Sequence, residues 1–378
     1  MEMSINDNAG IKRKHLDYID ELKGFAIILV VWGHCGALNY FYNSLYYIHL
    51  SVFIMVTGMM LYYSENWKKP CSYMFKLLKS LMYPFLTFGL MSILLNVYLN
   101  TIGGTSFSIK FRIKEIFCLG YDACWYLPAL FIGETVAIFV IYLSKEVFKK
   151  NYMIFISLGV IIFAASILRV FLWEYYGEYA ADSFLSGKKM LLLLVSSRSL
   201  FFAVFVLIGY IIFPYLQKMT QFLKWKGAVI SIAVFTVMLF VTRKAGFVDL
   251  RLVNWQHTSV YLVCSVIIGL AAIIFFMSLD RKIPFLQFIG RNSLAIMGVH
   301  LSFKKIWFAD VFLRKIIPLS IVIKPTLYSI ILTAFVIAIS VPYIYIFKAF
   351  PFILNFNCLV DRIKGIYRNI LRRGSDSK

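Results

Sequence analysis

Two ionisable side chains, Lys23 and His34, lie in the first strongly apolar segment of the chain, ELKGFAIILVVWGHCGAL from Glu21 to Leu38. At about 100° and 1.5 Å per helical residue, they fall within about 20° of one helix face and roughly 16 Å apart along its axis. Ionisable residues inside membrane helices are costly and usually functional. A lysine at the helix mouth can bind an anion, and an imidazole with a pKa of about 6.5 can take a proton from a hydroxyl group.

Each of these residues also has a structural alternative. His34 could be a core histidine that hydrogen-bonds between helices, and Lys23 could extend to lipid headgroups. Cys35 follows His34, but neighbours on a helix point about 100° apart, so we do not expect a Cys-His nucleophile pair. The six cysteines are scattered without a C-x-x-C pair or a histidine cluster. We therefore expect neither a metal site nor a disulfide framework.

The composition indicates a polytopic membrane protein. Hydrophobic residues make up 61% of the chain, aromatic residues 18%, and the mean hydropathy is +0.79, more than a soluble fold of 378 residues would carry. The net charge of +21 would suggest nucleic acid in a soluble protein. Here the lysines and arginines fall between apolar runs, as orientation signals and lipid anchors do. We expect membrane lipids as partners and no nucleic acid.

Apolar windows long enough to span a bilayer predict an all-α transmembrane bundle of about ten helices. The predicted spans are 25–43, 46–63, 77–99, 125–143, 152–173, 189–213, 227–243, 258–279, 287–307 and 321–347. With an even number of spans, both termini lie on one side. That side collects about 24 lysines and arginines against about 10 opposite, so we expect both ends to be cytoplasmic.

The spans divide the chain into three parts. Residues 1–24 form a cytoplasmic amino-terminal segment, 25–347 one membrane domain, and 348–378 a basic tail. In the tail, NCLVDRIKGIYRNILRRG alternates apolar and basic residues at near-helical spacing. This pattern predicts an amphipathic helix in the membrane interface rather than a nucleic-acid patch.

Several motifs resemble the acyltransferase-3 family of integral membrane acyltransferases. LDYIDELKGFAIILVVWGH resembles its first-helix signature, a basic residue and, after ten intervening residues, a histidine. Family members commonly have arginine in a Leu-Arg-Gly triplet, whereas this chain has Lys23, a variant similar to the fucose acetylase-like sugar acetyltransferases. Lysine offers a point charge where arginine offers a bidentate fork.

The resemblance extends along most of the chain. IHLSVFIMVTGMMLYY is similar to the family's second helix, and Lys76 and Lys79 in YMFKLLKSLMYP resemble its R-x-x-R arginine pair. CWYLPALFIGE, Cys124 to Glu134, resembles a tryptophan-aromatic-leucine segment. FIGRNSLAIMGVH, Phe288 to His300, resembles the closing segment that ends in histidine.

The resemblance implies transfer of an acyl group, usually acetyl from acetyl-CoA, to a hydroxyl group of a cell-surface or lipid-linked carbohydrate, in a bacterial cytoplasmic membrane. His34 is then a general base or the acceptor of the acyl group itself, and the residues do not separate the two routes. Lys23 would neutralise donor phosphate or orient the acyl carbonyl. Lys76 and Lys79 would bind acetyl-CoA, although lysines there also fix topology.

We expect the acceptor to contact Trp125, Tyr126, Glu134, Asn292 and His300. Aromatic rings can stack on a sugar, but at a span end they are also typical of the interfacial belt. A buried Glu134 needs a partner and could instead pair with a lysine. His300 could instead form a hydrogen bond between helices. His49, at the outer end of the second span, we expect to be an interfacial anchor.

Two other function classes remain compatible with buried charges in a membrane bundle. A sugar or lipid transporter or flippase would show paired broken helices in two halves, and no such Gly/Pro-interrupted pair is evident in the sequence. A non-catalytic sensor would only bind a ligand. A substitution of His34 would then change the binding affinity without abolishing any reaction.

Overall fold

The computed structural model describes residues 15–36, 40–101, 108–117, 120, 122–176, 188–279, 281–301 and 305–375. The structure is 86% helical with no strands among these residues, which confirms the predicted all-α polytopic bundle. The first half forms α1 (Asp17–Cys35), α2 (Tyr42–Ser64), α3 (Pro70–Leu77), α4 (Tyr83–Thr101), α5 (Ile109–Phe117), α6 (Tyr126–Tyr142), α7 (Tyr152–Tyr176) and α8 (Lys188–Leu223). The second half forms α9 (Trp225–Lys244), α10 (Thr258–Met277), α11 (Pro284–Arg291), α12 (Ser293–His300), α13 (Lys305–Ile316), α14 (Leu319–Val322), α15 (Pro325–Ala349) and α16 (Phe356–Ser375). Two π-helical segments, Leu78–Met82 and Leu143–Val147, join α3 to α4 and extend α6.

Eight helical stretches among the described residues are long and apolar enough to cross a membrane. They are Tyr42–Ser64, Pro70–Tyr98, Tyr126–Val147, Tyr152–Glu174, Leu191–Leu223, Trp225–Lys244, Thr258–Met277 and Pro325–Ala349. The two remaining predicted windows differ from a simple apolar helix. The first corresponds to α1, which has a charged start, and the ninth is divided into α11, α12 and α13.

The charged start of α1 is paired with α11. Asp20 Oδ2 accepts a hydrogen bond from Arg291 Nε at 2.8 Å, and Asp17 forms an ion pair with Lys282 at 2.5 Å, just before α11. Glu21 Oε1 accepts the backbone N–H of Ile283 and the side-chain amide of Gln287, both at 2.9 Å. Asp20 and Glu21 are buried. Their partners come from a distant part of the chain, so hydropathy alone could not place these acidic residues inside a helix. The predicted span therefore starts at residue 25, eight residues after the observed start of α1 at Asp17.

Two glycines allow α1 and α11 to pack with their backbones in contact. Gly24 faces the backbone of Leu286, and Gly290 faces that of Asp20. A Cβ atom on either glycine would overlap the facing carbonyl oxygen. Small residues at helix crossings let membrane helices approach closely, and here the crossing fixes the orientation of α1.

The bundle has two distinct ends. We call the end where α1 and α11 begin the charged end. The end of α15 also lies there, because Lys348 Nζ is 5.3 Å from the Phe288 ring centroid. Helix α16, the predicted amphipathic tail, packs there too, with Phe356 edge-on to Tyr83 at 5.5 Å. We call the opposite end, where α1 finishes at Cys35, the cavity end.

Candidate functional site

His34 lies in the last turn of α1, at the wall of a cavity of about 200 Å³. All nineteen residues of α1 are described, and His34 is the only exposed one. The predicted window ran to residue 43 and placed His34 near the middle of a span. The helix instead ends one residue after it, at Cys35, so the imidazole lies at the cavity end rather than in mid-helix. Residues 37–39 of that window lie outside the described residues.

His300 lies directly behind His34, in the last turn of α12. The two ring centroids are 5.3 Å apart, and the planes are inclined by 40°. Nδ1 of His300 is 3.1 Å from the carbonyl oxygen of Ile296 and 3.0 Å from that of Met297. A nitrogen between two carbonyl oxygens must carry the proton and donate, so Nε2 is assigned the lone pair. His300 is fully buried, and its Nε2 has no hydrogen-bond partner among the described residues.

His49, expected to be an interfacial anchor, is buried and contributes to the cavity wall. Its Nδ1–H donates to the carbonyl oxygen of Leu45, and its ring packs edge-on against Tyr46 at 5.1 Å. It also interacts electrostatically with His34. The interpretation from sequence missed this residue because it treated helix position alone. The available signal was the resemblance of IHLSVFIMVTGMMLYY to the family's second helix, where a histidine or apolar residues precede a Ser-Gly pair.

Three imidazoles near one cavity raise the question of a metal. Within the described ranges, no three His, Cys, Asp or Glu side chains are grouped so that they could hold a metal ion. The Nδ1 atoms of His49 and His300 are already engaged by backbone carbonyls.

Trp125 and Tyr126, predicted to bind the acceptor, both line the cavity at the start of α6. Their rings are nearly buried, and they pack edge-on at 6.5 Å. Behind Trp125, the fully buried Arg198 places its guanidinium carbon 5.4 Å from the ring centroid. A cation over an aromatic face fixes the ring, so Trp125 forms a rigid part of the wall.

Three charged residues on the cavity wall, Asp122, Asp249 and Arg251, were not predicted. Asp249 and Arg251 come from the segment between α9 and α10. The Oδ1 atom of Asp249 accepts the backbone N–H groups of Arg251 at 2.8 Å and Leu252 at 3.2 Å. Burial raises the pKa of Asp249, because desolvation outweighs the stabilisation of the carboxylate by these N–H groups and by the Arg251 guanidinium. Arg251 also interacts electrostatically with His34.

A second group of polar side chains lies towards the charged end, around the buried Glu134. The Tyr73 hydroxyl donates to Glu134 Oε1 at 3.1 Å, and the carboxylate interacts electrostatically with Lys23 and Lys76. Lys76 Nζ also lies 5.7 Å from the Tyr73 ring centroid. Glu134 was expected to pair with a lysine or to hydrogen-bond the acceptor. The structure places it near Lys23 and Lys76, about two helical turns further along α6 than Trp125.

Lys79 and Asn292 lie apart from both groups. Lys79 is in the π-helical segment after α3, where its Nζ is 5.6 Å from the Phe356 ring of α16. Lys76 lies instead over the Tyr73 ring, so the two lysines contact different aromatic side chains. Asn292 lies between α11 and α12 and donates from Nδ2 to the carbonyl oxygen of Phe288 at 2.7 Å. It is not among the described residues of the cavity wall.

Helix α1 connects the two groups. Lys23, in its second turn, belongs to the group around Glu134, and His34, in its last turn, belongs to the cavity. Their axial separation within one helix is roughly 16 Å. The arrangement can bind an anionic group at one position and carry out proton transfer at the other.

Comparison with known proteins adds one positive finding. The model of the acyltransferase-3 family, described as an acyltransferase domain, matches residues 16–345, from the start of α1 almost to the end of α15. The matched range contains both groups of side chains. No curated protein and no solved structure matched the chain.

Proposed function

The chain belongs to the acyltransferase-3 family, and from this premise we propose that it is an O-acetyltransferase acting on a carbohydrate. In this proposal acetyl-CoA is the donor, and a hydroxyl group of a cell-surface or lipid-linked glycan is the acceptor. Family membership supports a membrane acyltransferase. The finer assignment depends mainly on one observation, the contact of His34 with His300 at the wall of a cavity.

His34 is the residue we assign to proton transfer. In direct transfer its imidazole takes the proton of the acceptor hydroxyl as the new C–O bond forms and the C–S bond of the thioester breaks. The proton then passes to the departing thiolate, so none is gained or lost overall. In the alternative route His34 first accepts the acyl group and then passes it to the acceptor. Both routes need an oriented ring, and the Nε2 lone pair of His300, whose ring centroid is 5.3 Å from that of His34, can orient it.

The group around Glu134 is our candidate donor site. Acetyl-CoA supplies an activated acetyl thioester and carries several phosphate charges. Lys23 and Lys76 are the cations that would hold those phosphates, because compact ammonium groups bind phosphate as point charges. The residues around Glu134 suit acetyl-CoA, because the carboxylate balances the charges of both lysines and keeps them close together when no ligand is bound. The separation of roughly 16 Å along α1 lies within the reach of the extended pantetheine arm.

The cavity is our candidate acceptor site, lined by Trp125 and Tyr126. We place the charged end and both termini on the cytoplasmic side, where acetyl-CoA is made, as the lysine and arginine distribution favours. The cavity then faces the outside of a bacterial cytoplasmic membrane, where an envelope glycan is accessible. A transporter of sugar or lipid is the rival function, and it predicts translocation that does not depend on His34.

The test measures transfer of labelled acetyl from acetyl-CoA to envelope carbohydrate in membranes that carry the wild type or His34→Ala. We expect the variant to lose most of the transfer, by about 100-fold or more, as general-base contributions commonly do. Lys226→Ala is the control, because Lys226 is exposed at the start of α9 and lies outside the described cavity wall. Equal acetylation by wild type and His34→Ala would overturn the proposal.

A further inference from the structure

The connection between α9 and α10, residues 245–257, is packed into the bundle rather than lying over its surface. Val248, Leu250, Val253 and Trp255 are all at most 3% exposed. Ordinary connecting loops run over the surface, because buried backbone needs hydrogen-bond partners. We call this segment the inserted loop. Its burial shows that its position is fixed by the rest of the protein.

One internal pair of hydrogen bonds and contacts from two helices, α7 and α10, hold the inserted loop. Asp249 and Asn254 exchange both backbone hydrogen bonds at 2.8 Å, which closes a narrow turn. From α7, Trp173 Nε1 donates to the carbonyl oxygen of Val253 at 2.9 Å, and Arg169 donates to that of Trp255. Trp255 also stacks on Tyr261 of α10, with centroids 4.2 Å apart.

One residue of the turn has an unusual backbone. Val253 has a φ of +56°, in the left-handed region that a β-branched side chain rarely adopts. Such strain costs roughly 1–3 kcal/mol and persists only where surrounding contacts impose it, often at functional sites. The contacts around Val253 impose it here, and the result is a turn that points towards the cavity.

The turn places a carboxylate and a guanidinium on the cavity wall. Asp249 and Arg251 line the same cavity as His34. Two hydrogen bonds from the turn leave a carboxylate with capacity for more, since it can accept about four. Arg251 adds several donors in a planar fork. A planar acceptor beside a planar donor is a pair that can bind two adjacent hydroxyl groups.

Four aromatic side chains, Tyr46, Phe53, Trp125 and Tyr126, form another part of the wall, which also includes Asp122, His49 and several aliphatic residues. The cavity of about 200 Å³ is smaller than the pockets of about 300 Å³ and more that hold drug-sized ligands. It therefore suits a ligand of about one ring. Aromatic faces match the apolar C–H face of a pyranose, and the charged pair matches its hydroxyl edge.

We propose that the inserted loop is the acceptor-recognition element, and that Asp249 and Arg251 select a pyranoside through two adjacent hydroxyl groups. This inference rests on the acetyl transfer proposed above. It assigns Asp249 and Arg251 to acceptor binding, separately from donor binding at the charged end. The shape of the turn, set by α7 and α10, determines which hydroxyl faces His34.

The first experiment measures labelled acetyl transfer to envelope carbohydrate in native membranes that carry Asp249→Asn or Arg251→Gln. Asparagine keeps one oxygen that can accept the turn hydrogen bonds and replaces the other with an amide NH2, which removes the charge and one acceptor. We expect each variant to transfer about ten-fold more slowly, because each loses a hydrogen bond to a charged group. Lys244→Gln is the control, an exposed cation at the end of α9 outside the described cavity wall.

A donor-binding measurement separates the possible failures. Coenzyme A should raise the Tm of both loop variants as much as that of the wild type, because a ligand stabilises any protein that still binds it. Wild-type transfer rates in both variants would overturn the loop assignment. So would a loss of the coenzyme A-induced rise in Tm that matches the loss of transfer, since the variants would then be defective in donor binding. Active His34→Ala would instead contradict the proposed function itself.

Competition tests the class of acceptor. Methyl pyranosides with adjacent free hydroxyl groups should inhibit wild-type transfer and inhibit Arg251→Gln about ten-fold less. Arg251→Lys keeps the charge without the fork and should resemble Arg251→Gln. If a linear alditol inhibits as well as the pyranosides, or if no pyranoside inhibits, recognition of a sugar ring is wrong.

Discussion

The rings of His34 and His300 lie 5.3 Å apart, at the last turns of α1 and α12. His300 is not on the described cavity wall, so it reaches a substrate only through His34. Its backbone hydrogen bonds fix which nitrogen faces the neighbouring ring. We therefore interpret His300 as a positioning residue for His34 rather than as an acceptor-binding residue.

The first prediction separates the two nitrogens of His300. His300→Asn should keep the hydrogen bond to the Ile296 carbonyl, as Asn292 bonds to Phe288 four residues earlier. It removes the Nε2 lone pair, so we expect kcat to fall about ten-fold while KM for acetyl-CoA stays the same. His300→Gln places an amide near the Nε2 position and should restore part of kcat. The measurement is steady-state acetyl transfer by purified protein in bilayer discs.

A purely structural role for His300 gives a different result. In that case His300→Asn would lower the Tm, and His300→Gln would not recover kcat. Full activity of His300→Asn with an unchanged Tm would contradict the positioning role.

The second prediction concerns Lys23 and the donor. Lys23→Ala should raise KM for acetyl-CoA about ten-fold, because a hydrogen bond between charged groups is lost. Lys23→Arg should stay close to the wild type, since it keeps the charge and adds a bidentate fork. Lys226→Ala, at an exposed position at the start of α9, is the control for general loss of positive charge. An unchanged KM in Lys23→Ala would remove Lys23 from the donor site.

The third prediction concerns the buried carboxylate. Glu134→Gln keeps an oxygen for the Tyr73 hydroxyl but leaves Lys23 and Lys76 without their shared counter-charge. We expect the free energy of unfolding in detergent to fall by about 1–3 kcal/mol, less than for a fully buried pair, because Lys76 is exposed. Glu146→Gln, at an exposed position in the π-helical extension of α6, should have little effect. Equal stability of Glu134→Gln and the wild type would show that Glu134 does not organise the lysines.

Hydropathy was sufficient to predict most of the bundle, because a helix such as α10 meets lipid or apolar neighbours along its length. It could not predict where α1 begins. In the sequence, Asp20 and Glu21 are too polar for a membrane span. In the folded protein they are neutralised or hydrogen-bonded by Arg291 and Gln287, which are distant in sequence. The division of the ninth window into three helices has the same kind of origin, in contacts between distant segments.

The site was predictable where spacing within one helix decides it, as for Lys23 and His34. It was not predictable where a connection folds inward. In VDLRLVNW, Val248 and Leu250 alternate with polar residues, and Val253 and Trp255 flank Asn254. These two short period-two runs were the available signal for a buried extended segment. Between two long apolar helices, the same residues look like an ordinary polar loop.

The last prediction tests whether the crossing of α1 and α11 positions the site. A Cβ at Gly290 would overlap the Asp20 carbonyl, and one at Gly24 would overlap that of Leu286, so alanine forces the two backbones apart. We expect Gly290→Ala to lower the free energy of unfolding by about 1–3 kcal/mol, as overpacking does. Gly159→Ala, on an exposed face of α7 with nothing within 4 Å of the new Cβ, should be neutral or slightly stabilising. Because α11 continues into α12, a displaced α11 also moves His300 relative to His34, so transfer should fall in Gly290→Ala and not in Gly159→Ala. If Gly290→Ala loses stability while its kcat stays at the wild-type level, the crossing supports the fold without setting the distance between the two histidines.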